Sequence, residues 1–424
     1  MRISSGTLYD SGVASMQRQT EDLYRTQQQI SSGRRILTPA DDPVAAARVL
    51  DVSQAQAINQ QYGTNSGTAS DSLTAEESVL GTMTTLLQGI RDIAVNAGDA
   101  VLSQADRASL AADLRGQYQE LLGLANSTDG SGQYLFSGYQ GGTRPFTQSA
   151  PGAVTYSGDQ GQRLLQIGPA RQIAVSDAGS EVFQRIASGN GTFVVAAAPG
   201  NSGSALVDSG TVLDASKWNS AANSKDLTIR FALAAGVTTY DIVDNATGKS
   251  LLTAANAGTP PYPRVYTSGS SIDISTLAGS AEPAFDFGAR LSVSGAPANG
   301  DSIRLTASAN QDVFKTVDDL ANLLETSSGG AALTNGLMAA QRNLDNALQN
   351  VTTVRASVGS RLKELDVVNS AVADRDLQFS GTVSRLQDLD YAKAISDLTQ
   401  LQVNLQAAQK SFAKVAGLSL FDYL

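Results

Sequence analysis

The sequence predicts an α+β fold, with a long antiparallel α-helical coiled-coil stem formed by both termini and a β-rich domain inserted between them. Three observations predict it. Apolar side chains recur in heptads through the last helix. A matching heptad row runs through the first thirty-odd residues. Between the two, from Gln133 to about Asn310, the chain turns Gly/Ser/Thr/Ala-rich and carries short runs that alternate with period two.

The C-terminal pattern, Tyr391 to Val415, is the most regular. Tyr391, Leu398, Leu405 and Phe412 stand seven apart, and Ala394, Leu401, Ala408 and Val415 form a second row three residues on. Such an a/d seam returns about every 3.5 residues and asks for a partner helix of comparable length. The other faces hold Lys393, Asp397, Gln400, Gln402, Asn404, Gln406, Gln409 and Lys410, hydrogen-bonding rather than strongly charged. Met16, Leu23 and Ile30 repeat the spacing in an opening segment rich in glutamine (Gln17, Gln19, Gln27, Gln28, Gln29). The core of a helical bundle would explain one such stripe. Two stripes at opposite ends of the chain favour a chain that leaves a helical stem, builds something else and returns.

The remaining elements follow in order. A first helix from about Leu8 to Ser32 meets Gly33, suited to the left-handed position after a helix. Arg34 and Arg35 follow, readable as a binding pair or as a solvated connector near the negative helix end. Asp42 before Pro43 is an N-cap followed by proline at the first helical position. The adjacent Asp41 and Asp42 could be read as a metal or acid/base pair, but capping alone selects them. A very long helix then carries Ala69, Leu73, Leu80, Met83, Leu87, Ile90, Ala94 and Ala97, interrupted only by Glu76, with bends expected at Gly63 and Gly67. Ser103 and Asp106 open a third helix as a capping-box variant. Tyr134–Tyr139 reads as a strand. So do the runs 153–156, 163–167, 192–195, 227–231, 239–243 and 302–306, with a short helix over 181–186. Helix returns at Gln311, breaks at Ser327–Gly330, and resumes as a second very long helix before the last one. The predicted division is 1–42 with 375–424 as the terminal coiled coil, 43–140 with 311–374 as a long-helix bundle, and 141–310 as the β-rich insert.

Composition removes several kinds of chemistry. The chain has 424 residues, 42% hydrophobic and 17% charged, with no cysteine and no histidine. Thiolate chemistry, disulfides and the commonest metal ligand and general base go with those two residues. The net charge of −10 disfavours a nucleic-acid partner, which needs clustered Lys and Arg. No apolar run reaches the roughly eighteen residues a membrane span needs, so no membrane insertion is expected. The opening residues lack an apolar core of the secretory-signal kind. Gly248-Lys249-Ser250 echoes a phosphate loop, but Val243 stands where its first glycine belongs; Asn245–Gly248 more simply turns one strand into the next. Asn190-Gly191-Thr192 fits a glycosylation sequon. No acidic pair sits in a catalytic setting, so no enzyme, metal or cofactor is expected.

Two blocks near the N-terminus, Gln28-Gln29-Ile30-Ser31-Ser32-Gly33-Arg34-Arg35-Ile36 and Pro39-Ala40-Asp41-Asp42-Pro43, resemble the bacterial flagellin and hook-associated protein superfamily. So do Ala407–Phe412 and the ending Leu418-Ser419-Leu420-Phe421-Asp422-Tyr423-Leu424. That ending is similar to the hook-associated, junction-forming branch and differs from typical flagellins. Gln133–Gly138 is similar to the family's exit from the stem, and Ser294–Asp301 to a re-entry motif of hook-associated proteins. The resemblance implies a structural protein of the flagellum, exported unfolded through the flagellar type III apparatus with an export chaperone. It implies self-association in a ring on hook-associated protein 1 (FlgK), with flagellin polymerising beyond it. The assembly interface is then expected at Met16, Leu23, Ile30, Tyr391, Leu398, Leu401, Leu405, Phe412, Val415 and Leu420. A flagellin is the alternative; a coiled-coil adhesin or translocator and an enzyme on a helical stem are more distant ones.

Overall fold

The structure, a computed structural model, describes residues 5–150, 152–256, 258 and 260–417. Three helices come first: α1 (Ser5–Ser32), α2 (Pro43–Asn96) and α3 (Gln104–Ala125). Two hairpins follow, β1 (Phe146–Ala150) with β2 (Ala153–Tyr156) and β3 (Leu164–Gly168) with β4 (Arg171–Ala174), then α4 (Gly179–Phe183) and β5 (Ile186–Ala187). The insert continues through β6 (Phe193–Ala197), β7 (Leu206–Val207), β8 (Thr211–Val212), α5 (Ala215–Trp218), β9 (Asp226–Ala234) and β10 (Val237–Asp244). It closes with β11 (Lys249–Ser250), β12 (Arg264–Val265), β13 (Ser271–Ser275), β14 (Asp286–Ser294), β15 (Ser302–Ala307) and β16 (Asn310–Gln311). Three helices end the chain: α6 (Val313–Thr326), α7 (Gly330–Gln387) and α8 (Tyr391–Gly417).

The helix boundaries obey local chemistry. Gly33 takes φ +70° after α1. Pro43 opens α2, and Asp42 accepts the Ala45 N–H at 3.0 Å. Ser103 and Asp106 make a full capping box for α3. Asp312 caps α6 by accepting the Phe314 N–H at 2.7 Å. Gly329 and Gly330 both adopt positive φ where the chain reverses into α7.

The chain folds as two compact units. Unit one takes Met1–Gly67, Gln166–Arg171 and Asp366–Leu424; unit two takes Thr68–Leu165 and Gln172–Leu365. Unit two contains the insert. Six strands form one antiparallel sheet, ordered β11-β10-β9-β15-β6 with β12 also on β10; four form a second, β13-β14-β7 with β8 on β14. Leu227, Ile229, Phe231, Ile242, Ile303 and Leu305 of the first share one core with Ile272, Ile274, Phe287, Leu291 and Val293 of the second. Trp218 of α5 plugs that core, its ring 4.9 Å from Phe193. The arrangement is a β-sandwich, and strand alternation supplies its inner faces.

The predicted strand at Tyr134–Tyr139 is a turn. Gly138 has φ +71°, Ser137 Oγ donates to the Tyr134 carbonyl, and Asp159 accepts the Tyr139 N–H at 3.0 Å. Its apolar pair, Leu135 and Phe136, is buried without a ladder. Phe136, Phe146, Phe183 and Phe314 form an aromatic cluster where the β1–β2 hairpin, α4 and α6 meet, with Tyr118 of α3 at its edge. The Asn245–Gly248 segment is the expected turn, joining β10 to β11 with Gly248 at φ +70°. Asn190 is bound on both sides of its amide, donating to the Ser209 and Gly210 carbonyls and accepting from Thr192 and Phe193 N–H, so the sequon is engaged in a turn.

Helix α7 grips the insert through a row of amides. Asn335 donates to the Ala205 carbonyl and accepts the Val207 N–H, both at 2.9 Å. Asn346 donates to the Ala187 and Gly189 carbonyls, at 2.7 and 2.9 Å. Asn350 donates to Glu181 and Val182, at 2.9 and 3.0 Å. These carboxamides bind backbone groups of the insert directly. Asn346→Ala should cost about 1–3 kcal/mol by removing two hydrogen bonds to backbone carbonyls, and amide exchange should loosen at 181–189 first. Phe314→Ala should cost about 3–5 kcal/mol, read from denaturant unfolding, because its ring meets three others.

Candidate assembly interface

Unit one is built almost wholly from helices. Helices α1 and α8 run antiparallel: Tyr9 and Phe412 place their rings 5.0 Å apart, and the Tyr391 hydroxyl lies against Gly33 at the other end. A β-carbon on Gly12 would come within 2.8 Å of Phe412, and one on Gly33 within 3.0 Å of the Tyr391 oxygen. Glycine at these two positions lets the aromatic side chains of α8 lie on the backbone of α1. Gly63, expected as a bend, serves the same purpose. Helix α2 is continuous through Gly63 and Gly67, and a β-carbon on Gly63 would meet Val372 of α7 at 3.1 Å.

The heptad seam is present in three dimensions. Ala394 is buried; Leu398, Leu401, Leu405, Ala408 and Phe412 are half-buried, as are Met16, Leu23 and Ile30 on α1. Tyr391 remains 51% exposed although its hydroxyl is against Gly33. Leu420 lies outside the described residues, as does the side chain of Val415. The predicted residues that can be placed therefore line the α1–α8 seam within the chain.

Other large apolar side chains outside the heptad rows face outward, among them Val44 and Ile58, which the sequence pattern places at the start of the apolar stripe of α2. On α1 and α8 these are Tyr24, Ile395 and Val403; on α2 and α7 they are Val44, Leu50, Ile58, Val367 and Leu377. Against this stand five buried hydrophobic residues among the described part of unit one, Ile36, Ala45, Ile167, Val368 and Ala394. The signal was in the sequence as apolar residues out of phase with the seam, such as Ile395 four after Tyr391.

The two helix reversals are tied together. Arg35 N–H donates to the Gln387 carbonyl at 2.7 Å, and Leu389 N–H to the Gly33 carbonyl at 3.0 Å. The Arg35 guanidinium donates to the Leu386 carbonyl at 2.8 Å, capping the C-terminus of α7, and reaches Asp42 at 3.4 Å. Gln29 donates to the Arg35 carbonyl at 2.6 Å. Asp41 pairs with Arg25 at 2.8 Å and accepts the Leu37 and Thr38 N–H groups. The paired aspartates thus do separate structural jobs, one folding the 37–41 turn and one capping α2. Backbone donors from Thr38 and Leu37 hold the Asp41 carboxyl below the usual aspartate range, and the Ala45 N–H does so for Asp42. Arg35 acts as a clasp between segments 350 residues apart, a role that sequence spacing does not show. Among the described residues no three His, Cys, Asp or Glu side chains converge as a metal site, and no helix is long and apolar enough to cross a membrane.

Both lowered carboxyls contribute stability that is present above the unfolded aspartate range and lost as pH falls through the folded values. Acid should therefore loosen this clasp, seen as exchange at 33–42 and 386–390. Arg35→Ala should give the same local loosening at neutral pH, with a cost of about 1 kcal/mol given its exposure.

Comparison with known proteins places this architecture. Residues 3–141 match the bacterial flagellin N-terminal helical region, and residues 342–424 match the bacterial flagellin C-terminal helical region. Flagellar hook-associated protein 3 of Salmonella typhimurium is 29% identical over 422 residues, covering all of this chain and 99% of the relative. The crystal structure of Xanthomonas campestris FlgL in space group H3 is 30% identical, with TM-score 0.63, covering 77% of this chain and 99% of that one. The flagellar junction protein FlgL from Legionella pneumophila is 28% identical, with TM-score 0.66, covering 80% and 100%. With its two flagellin helical regions, its inserted β-sandwich, a full-length relative and these structural likenesses, the chain belongs to the hook-associated protein 3 (FlgL) family of the flagellin superfamily.

Proposed function

We propose that the chain is a structural axial protein of the bacterial flagellum, forming the junction between hook and filament on which flagellin polymerises. The observation that carries the mechanism is the outward apolar set of unit one. Fully covering a Val, Leu, Ile or Phe side chain contributes about 1.5–3 kcal/mol, and two paired helices leave most of these uncovered. Neighbouring copies in a ring, with hook-associated protein 1 on one side and flagellin on the other, supply the missing cover. Charge supports the same reading. Unit one contains 13 acidic and 12 basic residues, so nearly all of the net negative charge belongs to unit two. Near-neutral helices can pack side by side without mutual repulsion.

The action is mechanical rather than enzymatic. In this reading residues 1–42 and 375–424 form the inner assembly region, the helices of 43–140 and 311–374 a long-helix bundle, and 141–310 the β-rich outer insert. The chain reaches its place by the flagellar type III route, held beforehand by an export chaperone, and acts outside the cell. The flagellin alternative makes a different demand, because a filament subunit is abundant whereas a junction protein is a trace component.

Deleting the coding region tests the function. Bare hooks with monomeric flagellin in the medium are expected. Hooks with no filament and no secreted flagellin would assign the chain to the filament instead, and intact filaments would overturn both assignments. Two substitutions test the mechanism. Leu405→Asp should open the α1–α8 seam, raising amide exchange in the monomer and blocking the junction. Ile395→Lys should leave monomer exchange unchanged yet block the junction, since its side chain is already exposed. Normal filament growth with Ile395→Lys and with Val403→Lys would remove the outward face from the interface.

A further inference from the structure

Within unit two, α2 turns an apolar row inward: Ala69, Leu73, Leu80, Met83, Leu87 and Ile90, none of them exposed. Glu76 occupies this row between Leu73 and Leu80 and is 1% exposed. No hydrogen bond of good geometry reaches either carboxyl oxygen, although the backbone N–H and the carboxyl of Asp177 stand beside them. A buried carboxylate so thinly bonded is costly for a fold to hold. Its surroundings do not neutralise it. From α7 it faces Arg361, and from the buried segment after β4 it faces Asp177; those two are already ion-paired with each other. Arg361 also donates to the Ala174 carbonyl at 3.1 Å, and Gln162 donates to Asp177 at 2.8 Å. The next residue on α2, Glu77, is matched by Arg355 of α7 at 2.6 Å. Glu76 therefore meets one guanidinium that is already committed. With Glu76 neutral, the three groups sum to zero charge; with Glu76 ionised, they carry −1 in a largely buried site.

We propose that Glu76 is carried as the neutral acid and that, with Asp177 and Arg361, it forms a proton-dependent latch seating residues 173–180 on α2 and α7. The neutral carboxyl brings an O–H that can be aimed at Asp177, which a carboxylate lacks. Ionisation sets a second carboxylate against the same guanidinium. The repulsion falls on Asp177, which stands on a loop, and weakens the Arg361 bonds to Asp177 and to the Ala174 carbonyl. Burial, and after it the Asp177 charge, push the Glu76 carboxyl well above the ordinary glutamate range. The folded protein then holds a proton that the unfolded chain has released. The latch is tightest in mild acid, and its contribution falls as pH rises from the ordinary glutamate range through the raised value. This sign is opposite to that of Asp41 and Asp42.

Hydrogen exchange on the full chain tests the latch. Wild type and Glu76→Gln are compared at about pH 5.5 and about pH 8.5, after correction for intrinsic amide chemistry. Protection over 173–180 in the wild type should fall about ten-fold or more across this range, the equivalent of one unit of pKa displacement. Glu76→Gln, which is neutral at both values, should hold its protection. Parallel loss in both proteins, or no loss in either, overturns the proposal. If Glu76→Gln fails to fold, infrared titration with Glu76 retained decides. A protonated-carboxyl band that survives to neutral pH with both Asp241→Asn and Asp312→Asn in place, which remove the other two carboxyls raised by burial among the described residues, supports the latch, and its absence rejects it.

Discussion

Two antiparallel helices share one face, and a helix has more than one. This constraint governs unit one. The α1–α8 seam takes the heptad residues, yet Tyr24, Ile395 and Val403 are left facing outward, as are Leu50 on α2 and Leu377 on α7. Long helices draw most of their stability from tertiary packing, and in the proposed assembly neighbouring chains cover these side chains. A protein whose purpose is to join one assembly to another has reason to leave that surface unfilled.

Unit two is built on the opposite terms. Its sandwich is closed by Trp218 and by facing rows of Leu, Ile, Val and Phe, and its helices bury an aromatic cluster around Phe314. The contact between α7 and the insert includes a row of directional amide bonds. Asparagines at 335, 343, 346 and 350 engage backbone groups, with Asn343 accepting the Gly189 N–H at 3.3 Å. Directional amide bonds fix a register in a way that an apolar contact does not. A β domain carried on one helix is held by geometry as well as by burial.

Carboxyl groups couple both units to pH, with opposite signs. Asp41 and Asp42 accept backbone N–H bonds and favour the charged form, whereas Glu76 is enclosed among apolar side chains beside an occupied ion pair and favours the neutral one. The same residue chemistry gives different outcomes because one pair stands at an exposed turn with donors and the other group sits in a core without them.

The sequence by itself determined the α+β class, the helix starts at Pro43 and Gln104, the reversal at Gly33, the seam of α8 and six of the strands. These follow from local rules: a cap, a proline at the first helical position, a heptad, an alternation of period two. Tyr134–Tyr139 escaped them, because an apolar pair that plugs a turn looks like one that lines a sheet. So did β13 and β14, which alternate but sit among loops rich in Ser, Pro and Gly. Only the tertiary structure decided that Arg35 clasps two reversals, that Gly12 and Gly63 are points of close approach, and that the asparagines of α7 hold the insert. It alone also separated the apolar residues turned inward from those left exposed. Such roles belong to pairs of residues hundreds of positions apart, and periodicity along one helix carries no information about what stands opposite it.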